Sequence, residues 1–201
     1  MRFFVLAAVV LTPSLAEGQT FADVGVAAGT ALGSGTREGG IGWGDLNEDG
    51  CLDQVVNTAT SSYWSRILIQ GASGVSCTGT FADQTATLAA NLQDERGGRT
   101  IIVADVSNDG YPDLVRNHWT VVEIYLNRGP TFGYAFGTAA GDPTQEFSGT
   151  LPGYSGNLNT EGISALDFDD DGDLDLVVDS GNRGIIAFRN DGTGTFTSLT
   201  P

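Results

Sequence analysis

The chain has 201 residues, 25 acidic against 9 basic side chains, a formal net charge of -16 and 40% apolar residues. All nine basic residues are arginine, so no lysine-rich patch exists to grip a phosphate backbone, and nucleic acid is disfavoured as a partner. The apolar fraction lies well above that of disordered acidic tails, and 29 glycines point to the frequent turns of an all-β protein.

The first segment, MRFFVLAAVVLTPSLA, carries one positive charge (Arg2), an apolar run from Phe3 to Leu11 too short to span a bilayer, and the small-x-small triplet Ser14-Leu15-Ala16. That order is the signature of a secretory signal over residues 1–16, cleaved after Ala16, so the mature chain is expected to begin at Glu17 and to be secreted or held at the cell surface. No later run is long and apolar enough to suggest a membrane span. Export bears on Cys51 and Cys77: in an oxidising compartment a pair closing a 26-residue separation would add about 3 kcal/mol, with two unpaired thiols as the alternative.

Three segments align without gaps: IGWGDLNEDGCLDQVVN (41–57), IIVADVSNDGYPDLVRN (101–117) and ISALDFDDDGDLDLVVD (163–179). Their first aspartates are Asp45, Asp105 and Asp167, a period of 60 and then 62 residues, which signals a repeat architecture. An apolar run follows each: RILIQGASG (66–74), VEIYLNRG (122–129) and GIIAFRNDGTG (184–194). TFADVG (20–25), TFADQT (80–85) and TFTSLT (195–200) mark the junctions. Each unit reads as four short strands: before the Asp loop, after it, the apolar run, and the Thr-Phe segment. The units span about 21–80, 81–146 and 147–201. In the second, residues 129–159 read as a surface insertion with one strand around Phe147. Period-two alternation at Ile41/Trp43, Ile101/Val103 and Ile163/Ala165, together with Pro112 where a helix would already be under way, favours strands throughout.

Counted from its first Asp, each loop places oxygen-bearing side chains at positions 1, 3 and 5: Asp45, Asn47, Asp49; Asp105, Ser107, Asp109; Asp167, Asp169, Asp171. Position 6 is glycine (Gly50, Gly110, Gly172) and position 9 aspartate (Asp53, Asp113, Asp175). Position 7 (Cys51, Tyr111, Asp173) is a candidate to add a backbone carbonyl. Two carboxylates about 4 Å apart repel by about 4 kcal/mol near a protein surface, so this acid density demands a cation. Six to eight oxygens on a tightly turning chain, without His or Cys side chains, suit Ca²⁺ over zinc, copper, iron or Mg²⁺. Position 12 is Val56, Arg116 or Val178, not the bidentate Glu of an EF-hand. Asp-Gly hairpin turns with solvated acids are the competing reading. Ligand charge ranks the third loop tightest, with four side-chain carboxylates, and the second weakest.

The pattern D-x-[DN]-x-D-G-x-x-D between two strands, repeated about every sixty residues with a Gly-Thr-Phe type junction, resembles the FG-GAP or VCBS repeat of integrin α subunits and many secreted bacterial proteins. The resemblance runs from about Phe21 to Thr200. It implies four-stranded β-propeller blades with Ca²⁺ in the inter-strand loops, hence the same fifteen ligand positions, with Ser107 departing from the motif. Three units fall short of the usual closed ring, so the resemblance implies an incomplete propeller that is a fragment or completes itself by association. The expected function is non-enzymatic: calcium-stabilised adhesion, or binding of an extracellular protein or glycan. The alternative is an accessory or catalytic part of a secreted hydrolase or lyase. His118 is the single histidine and no G-x-S-x-G, H-E-x-x-H or Cys-His constellation is present, which disfavours catalysis. A thrombospondin type 3 rod has shorter units without long apolar runs. His118-Trp119 and Tyr63-Trp64 are candidate ligand contacts, with packing between units the simpler account.

Overall fold

A computed structural model describes residues 23–30, 39–58, 64–74, 76–93, 99–117, 121–137, 145–148, 160–181 and 184–199. Residues 1–16, His118, Trp119 and Tyr63 lie outside these, as does most of 129–159. The described chain is mostly β: three antiparallel sheets of four strands, each a meander in which consecutive strands are neighbours. Sheet 1 comprises β1 (Ile41–Gly44), β2 (Asp53–Val56), β3 (Arg66–Ser73) and β4 (Ser76–Asp83). Sheet 2 comprises β5 (Ile101–Ala104), β6 (Asp113–Asn117), β7 (Val121–Tyr125) and β8 (Gln145–Ser148). Sheet 3 comprises β9 (Thr160–Leu166), β10 (Asp175–Ser180), β11 (Gly184–Asn190) and β12 (Phe196–Ser198). The four strands read from each repeat thus form one sheet, and the strand expected around Phe147 is β8. The approximate unit edges at 80/81 and 146/147 fall inside β4 and β8, so the sheets divide the chain after Asp83 and Ser148. Two four-residue helices, α1 (Gly25–Ala28) and α2 (Thr85–Leu88), complete the regular structure with two short 3-10 turns. No helix among the described residues is long and apolar enough to cross a membrane.

The sheets stack through two apolar layers, and side-chain alternation decides which residues enter each. Val55 and Ile67, cross-strand partners on sheet 1, meet Ile101, Leu114 and Tyr125 of sheet 2, with Leu46, Leu88, Leu92 and Phe136 filling the same layer. The opposite face of sheet 2 offers Val115, Val122 and Ile124 to Ile163, Leu176, Val178, Ile186 and Phe188 of sheet 3. Each such side chain fully buried contributes about 1.5–3 kcal/mol. On β1 the neighbour is met by glycines: a Cβ on Gly42 would lie 2.9 Å from Val103 Cγ2, and one on Gly44 2.5 Å from Val103 Cγ1. The glycines of GGIGWG therefore permit close packing, while Ile41 and Trp43 point the other way and remain exposed, Trp43 standing edge-on to Phe81 at 6.0 Å. The same alternation leaves Ser164, Val177 and Ile185 on the outward face of sheet 3. There they line a shallow cavity of about 380 Å³ with Gly162, Ile163 and Asp179, and Ile185 is 70% exposed.

Part of the stretch read as a surface insertion is core. Phe136 is fully buried, its N–H donates to Leu88 O at 2.7 Å, and Gly137 N–H donates to Leu126 O at 2.8 Å. A short segment folded back on its own strand was hidden in the sequence by the glycines around it. Also unforeseen is a buried ion pair on the same layer: Arg116 Nε donates to Glu123 Oε2, which also accepts from Tyr125 Oη at 3.0 Å. Arg116 further donates to Ser65 Oγ at 3.3 Å and Leu92 O at 3.4 Å, the added hydrogen bonds a buried charge requires. Cys51 and Cys77 form a disulfide that ties the first Asp loop to β4.

Candidate metal centre

The three Asp loops join β1 to β2, β5 to β6 and β9 to β10, so the repeat places them at corresponding positions of successive sheets. Their internal hydrogen bonds are nearly superimposable. The position-1 carboxylates (Asp45, Asp105, Asp167) accept through Oδ1 from the position-5 N–H at 3.1, 3.2 and 3.2 Å, and through Oδ2 from the glycine N–H at 2.9, 2.9 and 3.0 Å. The position-5 carboxylates (Asp49, Asp109, Asp171) accept through Oδ1 from the N–H of Cys51, Tyr111 and Asp173 at 2.9, 2.9 and 3.0 Å. To curl this tightly, the backbone enters the left-handed region twice, at position 4 (Glu48, Asn108, Asp170; φ 56°, 55°, 60°) and at Gly50, Gly110 and Gly172 (φ 84°, 91°, 95°). Glycine takes that conformation without strain, and Asn and Asp tolerate it better than Glu.

Position 9 is the buried floor of each loop. Asp53, Asp113 and Asp175 are all fully buried at the start of β2, β6 and β10. Oδ2 of each accepts from the position-2 N–H (Leu46 2.9 Å, Val106 3.0 Å, Phe168 3.1 Å). Oδ1 accepts from an N–H of the third strand or its end (Gln70 2.8 Å, Asn127 2.7 Å, Asn190 2.9 Å). Burial, only partly answered by these N–H groups, pushes the Asp53 carboxyl up to about 6, with Asp49 and Asp45 adding to the rise, and Asp113 up to about 7, with Asp109 adding to it. Desolvation and the charges of Asp171 and Asp175 also raise Asp169. Asp53 and Asp113 are oriented by hydrogen bonds yet sit beside other acids, which is the condition a cation relieves.

Position 3 distinguishes the loops. In the third, carboxylate oxygens of Asp167, Asp169 and Asp175 lie within 4.8 Å of one another, the one such group of three acidic side chains among the described residues. In the first, Asn47 Oδ1 accepts from Asp49 N–H at 3.2 Å while its amide donates to Asp49 Oδ2 at 3.1 Å. In the second, Ser107 Oγ is buried beside Asp113, whose carboxylate accepts from the Ser107 backbone N–H at 3.1 Å and is favoured in its charged form by the Ser107 hydroxyl. A buried hydroxyl beside a buried carboxylate is a donor pair that suits a hard cation taking oxygen ligands. Backbone carbonyls at position 7 (Cys51, Tyr111, Asp173) would be the remaining oxygen donors for a Ca²⁺ ion, while the Tyr111 side chain stands edge-on to Tyr134 at 6.2 Å.

Sequence reasoning missed the residues around the loops. Arg189 Nη1 stands 3.9 Å from Asp169 Oδ2, a cation that tempers the charge advantage of the third loop. Asn108 donates its amide to Asp173 Oδ1, joining the second loop to the third, and Tyr134 Oη donates to Glu48 Oε2 at 3.2 Å, joining sheet 2 to the first loop. Asn127 and Asn190 were visible only as the Asn of NRG and NDG after two of the apolar runs. Comparison with known proteins finds no family model that matches the chain and no match among curated proteins.

Proposed function

We propose that this chain is an exported, calcium-stabilised repeat module of the FG-GAP or VCBS kind, its sheets acting as β-propeller blades and its role being non-enzymatic adhesion or binding of a protein or glycan. The observation that carries this reading is the common hydrogen-bond scheme of the three loops, which in each case holds the position-1 carboxylate on backbone N–H groups and keeps the position-9 aspartate fully buried, together with the third loop's carboxylates of Asp167, Asp169 and Asp175 lying within 4.8 Å of one another. A set of mere Asp-Gly turns has no need to bury the position-9 carboxylate, because desolvating an unpaired charge costs several kcal/mol. The exposed Ile185, beside Val177 on the outward face of sheet 3, supports the further reading that the stack continues, through additional units or by self-association.

The ion in this reading is structural. Binding only the folded state, it stabilises by RT ln(1 + [L]/Kd), about 2.7 kcal/mol per site at a hundred times Kd. Calorimetric titration of the chelated protein with Ca²⁺ should show up to three sites, and chelator should lower the melting temperature. A chain that takes up no Ca²⁺ and melts identically in chelator refutes the reading.

A further inference from the structure

Asn127 and Asn190 occupy corresponding places, just beyond β7 and at the end of β11, and each is almost wholly buried. Both do the same two things. The backbone N–H donates to the position-9 carboxylate of the residue's own loop, Asp113 or Asp175. The side-chain amide reaches into the preceding unit, where Asn127 Nδ2 donates to Leu46 O at 3.0 Å and Asn190 Nδ2 to Val106 O at 2.8 Å. The same amide also donates within its own unit, to Pro112 O at 3.3 Å and Leu174 O at 2.9 Å. The amide orientation is fixed from its other side: Gly129 N–H donates to Asn127 Oδ1 at 3.0 Å, and Gly192 and Gly194 N–H to Asn190 Oδ1 at 3.2 Å each.

Leu46 and Val106 are the position-2 residues whose own N–H groups hold Asp53 and Asp113. A continuous hydrogen-bonded path therefore runs from Asp53 through Leu46 and Asn127 to Asp113, then through Val106 and Asn190 to Asp175. In sheet 1 the corresponding donor is Gln70, whose amide reaches only Leu52 O of its own loop, at 3.2 Å.

We propose that Asn127 and Asn190 are positioning residues that couple the three loops, so that a cation held by one raises the affinity of the next. This rests on the metal reading above. An ion that pins the Asp113 carboxylate in place also orders the Asn127 and Val106 N–H groups that donate to it at 2.7 and 3.0 Å. The ordered Asn127 then fixes the Leu46 carbonyl and, through Leu46 N–H, the carboxylate floor of the first loop. Coupling of this sort is reciprocal, so filling the first loop favours the second equally.

The test is a Ca²⁺ titration of the full chain followed by NMR at the amides of Gly50, Gly110 and Gly172, one reporter in each loop. Disabling the second loop with Asp109→Asn should weaken binding at the Gly50 loop about fivefold or more, the lower end of typical coupling. In an Asn127→Ala background, the same Asp109→Asn change should leave the Gly50 loop within twofold. An Asn127 that merely supports the fold would lower the melting temperature of the chelated protein and leave the effect of Asp109→Asn on the Gly50 loop intact, which overturns the proposal. Should Asn127→Ala not fold, Asn190→Ala with the reporter at Gly172 asks the same of loops two and three. The single variants Asp109→Asn and Asp171→Asn measure coupling with both asparagines in place. Three loops that bind Ca²⁺ independently overturn the coupling alone, whereas no Ca²⁺ binding at any loop overturns the metal reading with it.

Discussion

Replacing Asp113 with asparagine separates the cost of burying a carboxylate from the benefit of the ion it would hold. Asp113 accepts from Val106 N–H at 3.0 Å, Ser107 N–H at 3.1 Å and Asn127 N–H at 2.7 Å, and burial raises its carboxyl from 3.8 to about 7. That rise makes ionisation in the metal-free fold about 4 kcal/mol harder than in water. Asparagine forfeits at least one hydrogen bond to a charged group, about 1.5–3 kcal/mol, but removes this penalty. In chelator at pH 7.5 the balance favours asparagine by about 1–2.5 kcal/mol, so Asp113→Asn should melt a few degrees above the parent. In Ca²⁺ the balance changes. At a concentration of a hundred times the parent Kd, one site adds about 2.7 kcal/mol; a hundredfold weaker site adds about 0.4, so the variant forgoes about 2.3 kcal/mol. At about 2–4 °C per kcal/mol for a chain of this size, its calcium-induced rise in melting temperature should be smaller by about 5–9 °C. Differential scanning calorimetry of both proteins in chelator and in Ca²⁺ measures all four numbers. An equal calcium-induced rise in parent and variant would refute the assignment of Asp113 as a ligand.

Two other expectations follow from the same structure. Because Asp53 and Asp113 are raised when folded, they contribute stability that is fully present below about pH 4 and is lost as pH climbs through about 6 and 7. The melting temperature of the chelated protein, corrected with an Asp53→Asn, Asp113→Asn double variant, should fall over that window, and saturating Ca²⁺ should abolish the fall. Gly44→Ala should cost about 1–3 kcal/mol in chelator and in Ca²⁺ alike, since the new methyl would meet Val103 Cγ1 at 2.5 Å in the layer between sheets 1 and 2. Denaturant unfolding would detect this, and an unchanged midpoint would contradict the packing described.

What the sequence revealed and what it withheld divide along sequence separation. Most of each loop is local: apart from the position-9 Oδ1, the hydrogen-bonded side chains of its positions 1, 5 and 9 accept from backbone N–H groups within seven positions, as Asp53 Oδ2 does from Leu46. Its residue types and its glycine therefore had to be legible as a motif, and the strands on either side followed from alternation. The direction in which alternation faces is not local. Ile41 and Trp43 alternate as Ile101 and Val103 do, yet Ile101 is buried and Trp43 is 49% exposed, because the neighbouring sheet lies on the glycine side of β1. Nothing in four residues of β1 states which side that is.

The asparagine path was hidden for a more specific reason. The N–H that meets the position-9 carboxylate comes from 17 residues later in the first unit, 14 in the second and 15 in the third. Hairpins of unequal length put these donors out of phase with an ungapped alignment, and the first unit carries Gln70 in place of Asn. Only the strand register restores the correspondence, by pairing Val55 with Ile67, Val115 with Ile124 and Val177 with Ala187. Once aligned in this way, both asparagines fall at the same place relative to the buried aspartate, and their amides at the same place relative to the loop before. In both cases a carbonyl of one loop is held by the next unit's amide, a contact between residues 81 and 84 positions apart. The chemistry of each loop is therefore written in its own nine residues, whereas any cooperation among loops depends on how far the intervening hairpins let the third strand reach.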